Sequence, residues 1–377
     1  MLAFYTEHGI SPVSQDISDL ARHLQRRESL YRLLGLPSLL FEGRTILEVG
    51  PGSGHNSLYV ASRKPLGYDL VEPNPKAAAE IAALYDGFER PHTRPRILLT
   101  TLQDFTPDVP YDIVLCEGWL GNSDADHRLI RKLGGFLRPG GVLVLTFVPP
   151  VGGLATLFRR LLTLRLLEGI SDFETRTQRL VEAFGSHLAT LEAMSRPHRD
   201  WVQDNLLCLA ILGQAQSPDR IGATLGEDFA ILGSVPGFQM EWRWYKALFG
   251  PARDFNGVFR AAYQTRLHNL VDYRLAPTLR EGARNGALET LVGQLFAAIL
   301  RLEVSGATRP SPEIADLVAL IRDNLAPDLP AITLGIDEVW PLLGQARVAP
   351  AEVAALPRFS SWFGRENCYL SLQKESA

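Results

Sequence analysis

The stretch ILEVGPGSGHN, residues 46–56, decides the fold of this chain. Its first part is short and mostly apolar, which is typical of a buried strand, and three glycines follow it. Because glycine has no Cβ, the backbone can turn tightly there and approach a ligand closely. A helix predicted from about Asn56 would direct its free N–H groups to the same place. The stretch therefore predicts a ligand-binding turn between a strand and a helix.

An acid stands at the end of the next predicted strand. Residues 68–71 form that strand, and Glu72 follows it, 18 residues after Gly54. A carboxylate at this position can accept hydrogen bonds from both hydroxyls of a ribose. An ordinary strand-to-helix turn with a solvated carboxylate is the alternative, and nicotinamide and flavin proteins use related turns.

Strands and helices alternate on both sides of the turn. The apolar segments predict strands at 45–49, 68–71, 96–100, 112–116 and 142–147, with helices at 56–62, 76–85 and 126–136. This alternation is typical of a parallel sheet with helices on both faces. Strands that are almost continuously apolar fit burial on both faces. The predicted fold class is therefore α/β.

Four motifs within residues 44–148 resemble the class I S-adenosylmethionine-dependent methyltransferases. They read ILEVGPGSG, VEPNP, YDIVLCEG and LRPGGVLVLTF, in the order and spacing of that superfamily. The resemblance implies a Rossmann-like seven-stranded sheet, S-adenosyl-L-methionine as cofactor and S-adenosyl-L-homocysteine as product. A dinucleotide dehydrogenase is the rival interpretation, and the LRPGG turn before the fifth strand argues against it.

The resemblance also implies cofactor contacts. Glu48 and the glycines would surround the methionine part, Glu72 would bind the ribose, and Leu102 would pack on the adenine. The segment after the third strand lacks the acid that many members place near the adenine, so Gln103 or Asp104 would take the polar role there. The cofactor-binding residues implied in this way are Glu48, Gly50, Gly52, Ser53, Gly54, Glu72, Pro73, Leu102, Gln103 and Glu117.

Three residues are candidates for catalysis: Glu117, His198 and Tyr245. Methyl transfer is an in-line displacement, so positioning supplies much of the catalysis, and a base is needed only when the acceptor loses a proton. Glu117 follows the fourth strand and could bind the cofactor, orient an acceptor or act as base. His198 could act as a general base, because an imidazole can exchange a proton near neutral pH. Tyr245 lies in a predicted strand at 239–245. The alternative for each is a structural role, in a loop, a capped helix and a packed strand respectively.

The remaining sequence extends the core on both sides. We predict an N-terminal helical segment at 1–43, a cofactor-binding core at 44–150, a mostly helical cap with strands near 229–245 at 151–360, and a final sheet strand with a tail at 361–377. The last assignment rests on residues 368–373, which resemble the final antiparallel strand of the same superfamily. By analogy of fold, such caps commonly shape acceptor pockets.

Composition limits the compartment and the partners. The net charge of -4, without a broad basic field, predicts no nucleic-acid partner. The three cysteines are widely spaced, which fits neither a disulfide framework nor a zinc site, and no metal site is predicted. Without a long apolar run or a secretion signal, we expect a cytoplasmic protein with no stable membrane insertion, and a homodimer is left open.

The predicted function is that of a methyltransferase acting on a small-molecule or saccharide acceptor. A helical cap with aromatic residues suits a bounded pocket. A protein or peptide methyltransferase is the first alternative. A non-catalytic, regulatory protein that binds S-adenosylmethionine is the second, and it would form no S-adenosylhomocysteine with any acceptor.

Overall fold

The structure is a computed structural model, and it describes residues 2–10, 14–90 and 92–375. The described residues divide into two compact units. The first unit lies within Met1–Phe147, Gln216–Tyr263 and Asn367–Ala377, and the second comprises Val148–Ala215 and Gln264–Glu366. The first unit thus takes in the segment predicted separately at 1–43 and part of the region predicted as a cap.

A seven-stranded sheet lies in the first unit. Its strands are β1 Thr45–Val49, β2 Gly67–Val71, β3 Arg96–Leu98, β4 Tyr111–Cys116, β5 Leu137–Phe147, β6 Phe229–Val235 and β7 Cys368–Lys374. Their order is β3-β2-β1-β4-β5-β7-β6. Strands β1 to β5 pair in parallel, and β7 is antiparallel to both of its neighbours. The predicted α/β, Rossmann-like seven-stranded sheet is confirmed.

Helices surround this sheet and make up most of the second unit. The α-helices of the described residues are α1 Leu2–Glu7, α2 Leu20–Leu33, α3 Ser57–Ser62, α4 Pro75–Asp86, α5 Asp124–Gly135, α6 Leu154–Leu166, α7 Phe173–Leu188, α8 His198–Val202, α9 Pro218–Leu225, α10 Phe255–Arg266, α11 Gly282–Ser305, α12 Pro312–Leu325, α13 Pro330–Gly344 and α14 Pro350–Ala354. The large helical C-terminal region is therefore confirmed. None of the helices in this part of the chain combines the length and apolarity that a membrane crossing requires.

Local sequence explains where the helices of the core begin. Asn74 accepts hydrogen bonds from the backbone N–H groups of the first turn of α4, and Pro75 occupies the first helical position. Ser123 and Asp126 form a reciprocal capping box at the start of α5. These caps place both helices directly after the loops that follow β2 and β4.

The strand order brings three loops to one edge of the sheet. β1 lies between β2 and β4. The chain therefore adds β2 and β3 on one side of β1 and then reverses, adding β4 and β5 on the other side. In open α/β sheets, ligands bind beyond the carboxyl ends of the strands at such a reversal. The loops after β1, β2 and β4 all begin at this edge, because the three strands are parallel.

The predicted helical segment near the N-terminus is shorter in the structure. The sequence predicts a helical segment at 1–43, but in its described residues the α-helices cover only Leu2–Glu7 and Leu20–Leu33, and residues 1 and 11–13 lie outside the described residues. Asp19 caps α2 by accepting a hydrogen bond from the backbone N–H of Arg22. Beyond α2 the chain turns at a glycine with positive φ, which ends the helix.

The strand predicted at 239–245 is wrong, because the outer edge of β6 is already occupied. The Asn256 side chain accepts a hydrogen bond from the backbone N–H of Ile231 at 2.8 Å and donates one to the carbonyl of Phe229 at 2.8 Å. It thereby takes the place of a neighbouring strand. Residues 239–244 are irregular, and a short 3-10 turn begins at Tyr245. Strand β6 ends at Val235.

Candidate functional site

The glycine-rich turn after β1 can be built only from glycine at its tightest points. Gly50, Gly52 and Gly54 have φ values of +72°, +59° and +78°. Side chains are strained in this left-handed region. A Cβ atom on Gly50 would lie 2.5 Å from the indole nitrogen of Trp119, and one on Gly54 would lie 2.9 Å from a carbon of Ile81. The turn therefore packs closely between the loop after β4 and helix α4.

Glu72 faces this turn from the end of β2. The residue is 3% exposed, and its carboxylate accepts hydrogen bonds from the backbone N–H of Gly52 at 3.2 Å and of Asn74 at 2.9 Å. Burial raises the pKa of Glu72, and the two backbone N–H groups oppose that rise. The side-chain amide nitrogen of Asn74 is buried without a hydrogen-bond partner. Such an orphaned donor beside a carboxylate fits a polar ligand group at this place.

Glu48 is a second buried carboxyl, one residue before the end of β1. It is 6% exposed, and the hydroxyl of Tyr68 donates a hydrogen bond to it. Burial, and then the negative charge of Glu117, raise the pKa of Glu48 to about 7, and the bond from Tyr68 works in the opposite direction. Burial therefore favours the protonated form of Glu48 more than in a solvent-exposed glutamate.

Glu117, after β4, forms an ion pair that the sequence did not predict. Arg27 of α2 donates through Nη2 to both oxygens of Glu117, at 2.7 and 3.0 Å, and the hydroxyl of Tyr31 donates to one of them at 3.0 Å. Burial opposes the charge of Arg27, but Glu117 and Tyr31 outweigh it and hold the pKa of Arg27 well above its usual range. The Nε atom of Arg27 is buried without a partner. A further acceptor, such as a ligand carboxylate, would satisfy it.

The structure brings most of the predicted cofactor residues to the same edge of the sheet. Glu48 lies near the end of β1, the glycine turn follows β1, and Glu72 and Glu117 follow β2 and β4. Ser53 contacts His55 within the turn at 3.1 Å. Pro73 is half-buried beside Glu72. After β3, Leu102 is 2% exposed and Gln103 is exposed.

Two of the predicted catalytic residues lie outside this group. His198 begins α8 in the second unit and is half-buried. Tyr245 belongs to the first unit, where it stands in a short 3-10 turn, is 67% exposed and contacts Trp244. Their catalytic roles stay predictions.

Sequence reasoning missed Arg27 and Tyr31. Their spacing of four residues on α2 was a usable signal, because it places a cation and a hydroxyl on one face of the helix that leads into β1. Their partner could not be read from that spacing, since Glu117 is 90 residues away from Arg27 in sequence.

The arrangement is suited to a cationic ligand that contains a nucleoside. Buried acceptors at Glu72 match ribose hydroxyls, the ionised form of Glu48 adds negative charge at the carboxyl end of β1, and the charge of Glu117 is paired with that of Arg27. A sulfonium and an ammonium group are positive, so these carboxylates favour them electrostatically. The residues present thus fit S-adenosylmethionine.

Comparison with known families agrees with this geometry. Residues 47–143 match the family model described as a methyltransferase domain. The chain carries a class I, Rossmann-like S-adenosylmethionine-dependent methyltransferase domain. The match covers the strands and loops that hold Glu48, Glu72 and Glu117.

Individual relatives match only part of the chain. Methyltransferase pytC of Aspergillus terreus is 31% identical over 137 residues, which are 35% of this chain and 38% of that protein. The match therefore spans well under half the length of this curated relative. The structure of magnesium protoporphyrin IX methyltransferase (ChlM) of Synechocystis PCC 6803 with bound SAH is 20% identical in sequence. The match covers 36% of this chain and 60% of that protein, with a TM-score of 0.31. N-methyltransferase NodS of Bradyrhizobium japonicum WM9 is 19% identical in sequence, and the match covers 45% of this chain and 84% of that protein with a TM-score of 0.29.

The close approach of Trp119 to the turn gives a first prediction. We expect Gly50→Ala to lower the free energy of unfolding by about 2–4 kcal/mol, because the added Cβ meets the indole and the positive φ is strained. Gly43→Ala is a matched control, since Gly43 has φ +68° and open space around its Cβ position. Chemical denaturation of both variants measures the two effects, and the difference between them isolates the clash.

The same clash can be relieved. In a Trp119→Ala background, Gly50→Ala should cost about as much as Gly43→Ala does in the wild type, because only the strain of positive φ is left. Equal costs of Gly50→Ala with and without Trp119 would contradict the packing described here.

The raised pKa of Glu48 gives a prediction about pH. Since the folded-state pKa of about 7 lies above the ordinary value of 4.5, the folded protein holds this proton more tightly than the unfolded chain does. Glu48 therefore contributes a fall in stability as pH rises from 4.5 to about 7, with a total of roughly 3 kcal/mol. Glu48→Gln should remove this fall, which denaturation of both proteins between about pH 5 and pH 8 will measure.

A second variant checks the sign of this effect. Tyr68→Phe removes a hydrogen bond that favours the charged form of Glu48, so the pKa of Glu48 should rise further. The stability of this variant should therefore go on falling to a higher pH than that of the wild type. Parallel curves for wild type and Glu48→Gln would show that Glu48 does not titrate in this range.

Proposed function

We propose that this protein transfers a methyl group from S-adenosylmethionine to a small-molecule or saccharide acceptor. The observation that carries the proposal is the position of Glu48, Glu72 and Glu117 at the sheet edge where the glycine turn lies, with Glu72 hydrogen-bonded to that turn. The matched domain covers about a quarter of the chain, and the proposal extends its chemistry to the whole protein.

The residues of this site would bind and orient rather than react. Glu72 would accept hydrogen bonds from the ribose, and the glycine turn would bring backbone N–H groups against the ligand. Arg27 and Tyr31 would hold the Glu117 carboxylate in one orientation at the methionine end. S-adenosylmethionine supplies, when bound, an electrophilic methyl group on a sulfonium. Catalysis would then rest chiefly on alignment with an acceptor lone pair.

The pairing of Glu117 favours an orienting role for this residue over that of a general base. Both of its oxygens already accept hydrogen bonds from Arg27, so accepting a substrate proton would disturb them. His198 and Tyr245 remain the proposed groups for acceptor binding or proton transfer. His198→Ala should then spare S-adenosylmethionine affinity and lower turnover, and full activity would remove it from the site.

The acceptor class rests on the chain outside the matched domain. A helical unit of this size suits a bounded pocket for a small molecule, by analogy of fold. A protein or peptide acceptor and a purely regulatory role are the alternatives. We further infer a cytoplasmic location, since the chain has only three cysteines, Cys116, Cys208 and Cys368, and all are buried, which fits a reducing compartment.

The test begins with binding. Calorimetric titration with S-adenosylmethionine, S-adenosylhomocysteine and NAD should show micromolar binding of the first two only. Binding of NAD alone would overturn the proposal. Pools of small molecules, saccharides and peptides are then screened for S-adenosylhomocysteine formation, and release with peptides only would favour the protein-directed alternative. Binding without turnover in any pool would favour the regulatory alternative.

A further inference from the structure

A run of large apolar side chains is exposed on the segment 240–249 of the first unit, called the aromatic segment below. The exposed fractions are 56% for Met240, 86% for Trp242, 64% for Trp244, 67% for Tyr245 and 72% for Phe249. Single exposed apolar residues are ordinary on protein surfaces, but a contiguous set of this kind marks an interaction site. Apart from Tyr245, which is a proposed group for acceptor binding or proton transfer, the methyltransferase chemistry described above does not use the segment.

The polar groups of the aromatic segment are already engaged with each other. The Glu241 carboxylate accepts hydrogen bonds from the backbone N–H of Arg243 at 2.8 Å and from its guanidinium at 2.5 and 2.8 Å. Arg243 also donates to the carbonyl of Ala252 at 2.6 Å. This pair fixes the local backbone and neutralises the one acid of the segment.

The remaining charges nearby are mostly basic. Lys246 and Arg253 are exposed, and the Lys246 ammonium lies 5.8 Å from the centre of the Trp244 ring. The acid Asp254 follows Arg253 in sequence, and its carboxylate accepts a hydrogen bond from the backbone N–H of Gly257 at the start of α10. Beside the Glu241–Arg243 pair, the exposed rings are therefore flanked by two bases and one acid, which leaves a net positive charge.

This combination matches a lipid surface better than a sugar or a peptide. Indole and phenol rings have an apolar body and a polar tip, so they concentrate at the boundary between headgroups and acyl chains. Basic side chains beside them are attracted to anionic headgroups. A saccharide or peptide would be held by hydrogen-bonding side chains next to the rings, and two of these, Glu241 and Arg243, are committed to each other and to Ala252.

We propose that the aromatic segment is an interfacial anchor that binds reversibly to anionic lipid surfaces. Trp242, Trp244 and Phe249 would enter the headgroup boundary, and Lys246 and Arg253 would contact the anionic headgroups. Binding of this kind needs no membrane-crossing helix. It does not depend on methyl transfer, so it can be tested in the absence of any acceptor.

The experiment is sedimentation of the full-length protein with vesicles of phosphatidylcholine, with and without added phosphatidylserine. The wild type should bind more tightly to the anionic vesicles, with a blue shift of tryptophan emission. The affinity of the double variant Trp242→Ser/Phe249→Ser for the vesicles should be at least about tenfold lower than that of the wild type, because the variant lacks two apolar side chains in the contact. The matched control is Leu39→Ser/Leu66→Ser, which alters residues 74% and 77% exposed elsewhere in the first unit, and it should bind as the wild type does.

A charge variant isolates the electrostatic contribution to vesicle binding. Lys246→Glu/Arg253→Glu should abolish the preference for phosphatidylserine. The proposal is overturned if the wild type binds neither vesicle, if it binds both equally, or if the control variant loses as much binding as the aromatic one. It is also overturned if, without lipid, the wild type is a dimer and Trp242→Ser/Phe249→Ser is a monomer, because a second copy would then cover the segment.

Discussion

Replacing Arg27 by alanine should lower the free energy of unfolding by about 3–5 kcal/mol and weaken the binding of S-adenosylmethionine. The side chains of Arg27 and Glu117 are 8% and 12% exposed, so the substitution leaves a buried carboxylate without its cation. The hydroxyl of Tyr31 also loses the Nη2 donor that it accepts from at 2.7 Å. An unpaired buried charge costs much more than the pair itself contributes.

Two further variants give this prediction its control. Arg27→Met/Glu117→Gln removes both charges at similar volume, so its stability should return to within about 1–2 kcal/mol of the wild type. Arg22→Ala removes an exposed arginine from the same helix and should change stability by less than about 0.5 kcal/mol. Chemical denaturation followed by circular dichroism measures all three. A cost for Arg27→Ala no larger than that of Arg22→Ala would contradict the buried pair.

Helix α2 therefore helps to position the residues of the site. The Tyr31 ring stacks on Tyr59 of α3 with a centroid distance of 5.4 Å, and the His23 ring is hydrogen-bonded to the carbonyl of His55 in the glycine turn at 3.0 Å. These contacts fix α2 against the turn and against the helix that follows it. The position of Glu117 thus depends on residues that precede β1 in the chain.

The elements that sequence predicted well are those with a local cause. The turn at Gly50 requires a positive φ, and Glu72 follows an apolar strand, so both features are visible within a few residues. The Arg27–Glu117 pair joins distant parts of the chain, and no local pattern encodes it. The error at 239–245 has a related cause, since alternating polar and aromatic residues fit a strand or an exposed turn, and Asn256 decides between them from outside the segment.

The largest effect on ligand binding should come from Glu72. We expect Glu72→Ala to weaken S-adenosylmethionine and S-adenosylhomocysteine binding on the order of 100-fold, because each hydrogen bond from a ribose hydroxyl to a carboxylate contributes about 1.5–3 kcal/mol. The backbone N–H groups of Gly52 and Asn74 would also lose their acceptor, which loosens the turn that faces the ligand. Calorimetry of the variant beside the wild type measures the change.

The control for this experiment separates the ribose contact from loss of charge or fold. Asp86→Ala removes an acid that is 65% exposed and paired only with exposed Arg94 in the described contacts, so it should bind both ligands as the wild type does. Denaturation of Glu72→Ala shows whether the core is intact, because the sheet does not depend on this carboxylate for its pairing. If a folded Glu72→Ala protein bound S-adenosylhomocysteine with unchanged affinity while the wild type also bound it, the cofactor site would remain and the ribose would lie away from Glu72. If neither protein bound it, the proposed cofactor itself would be wrong.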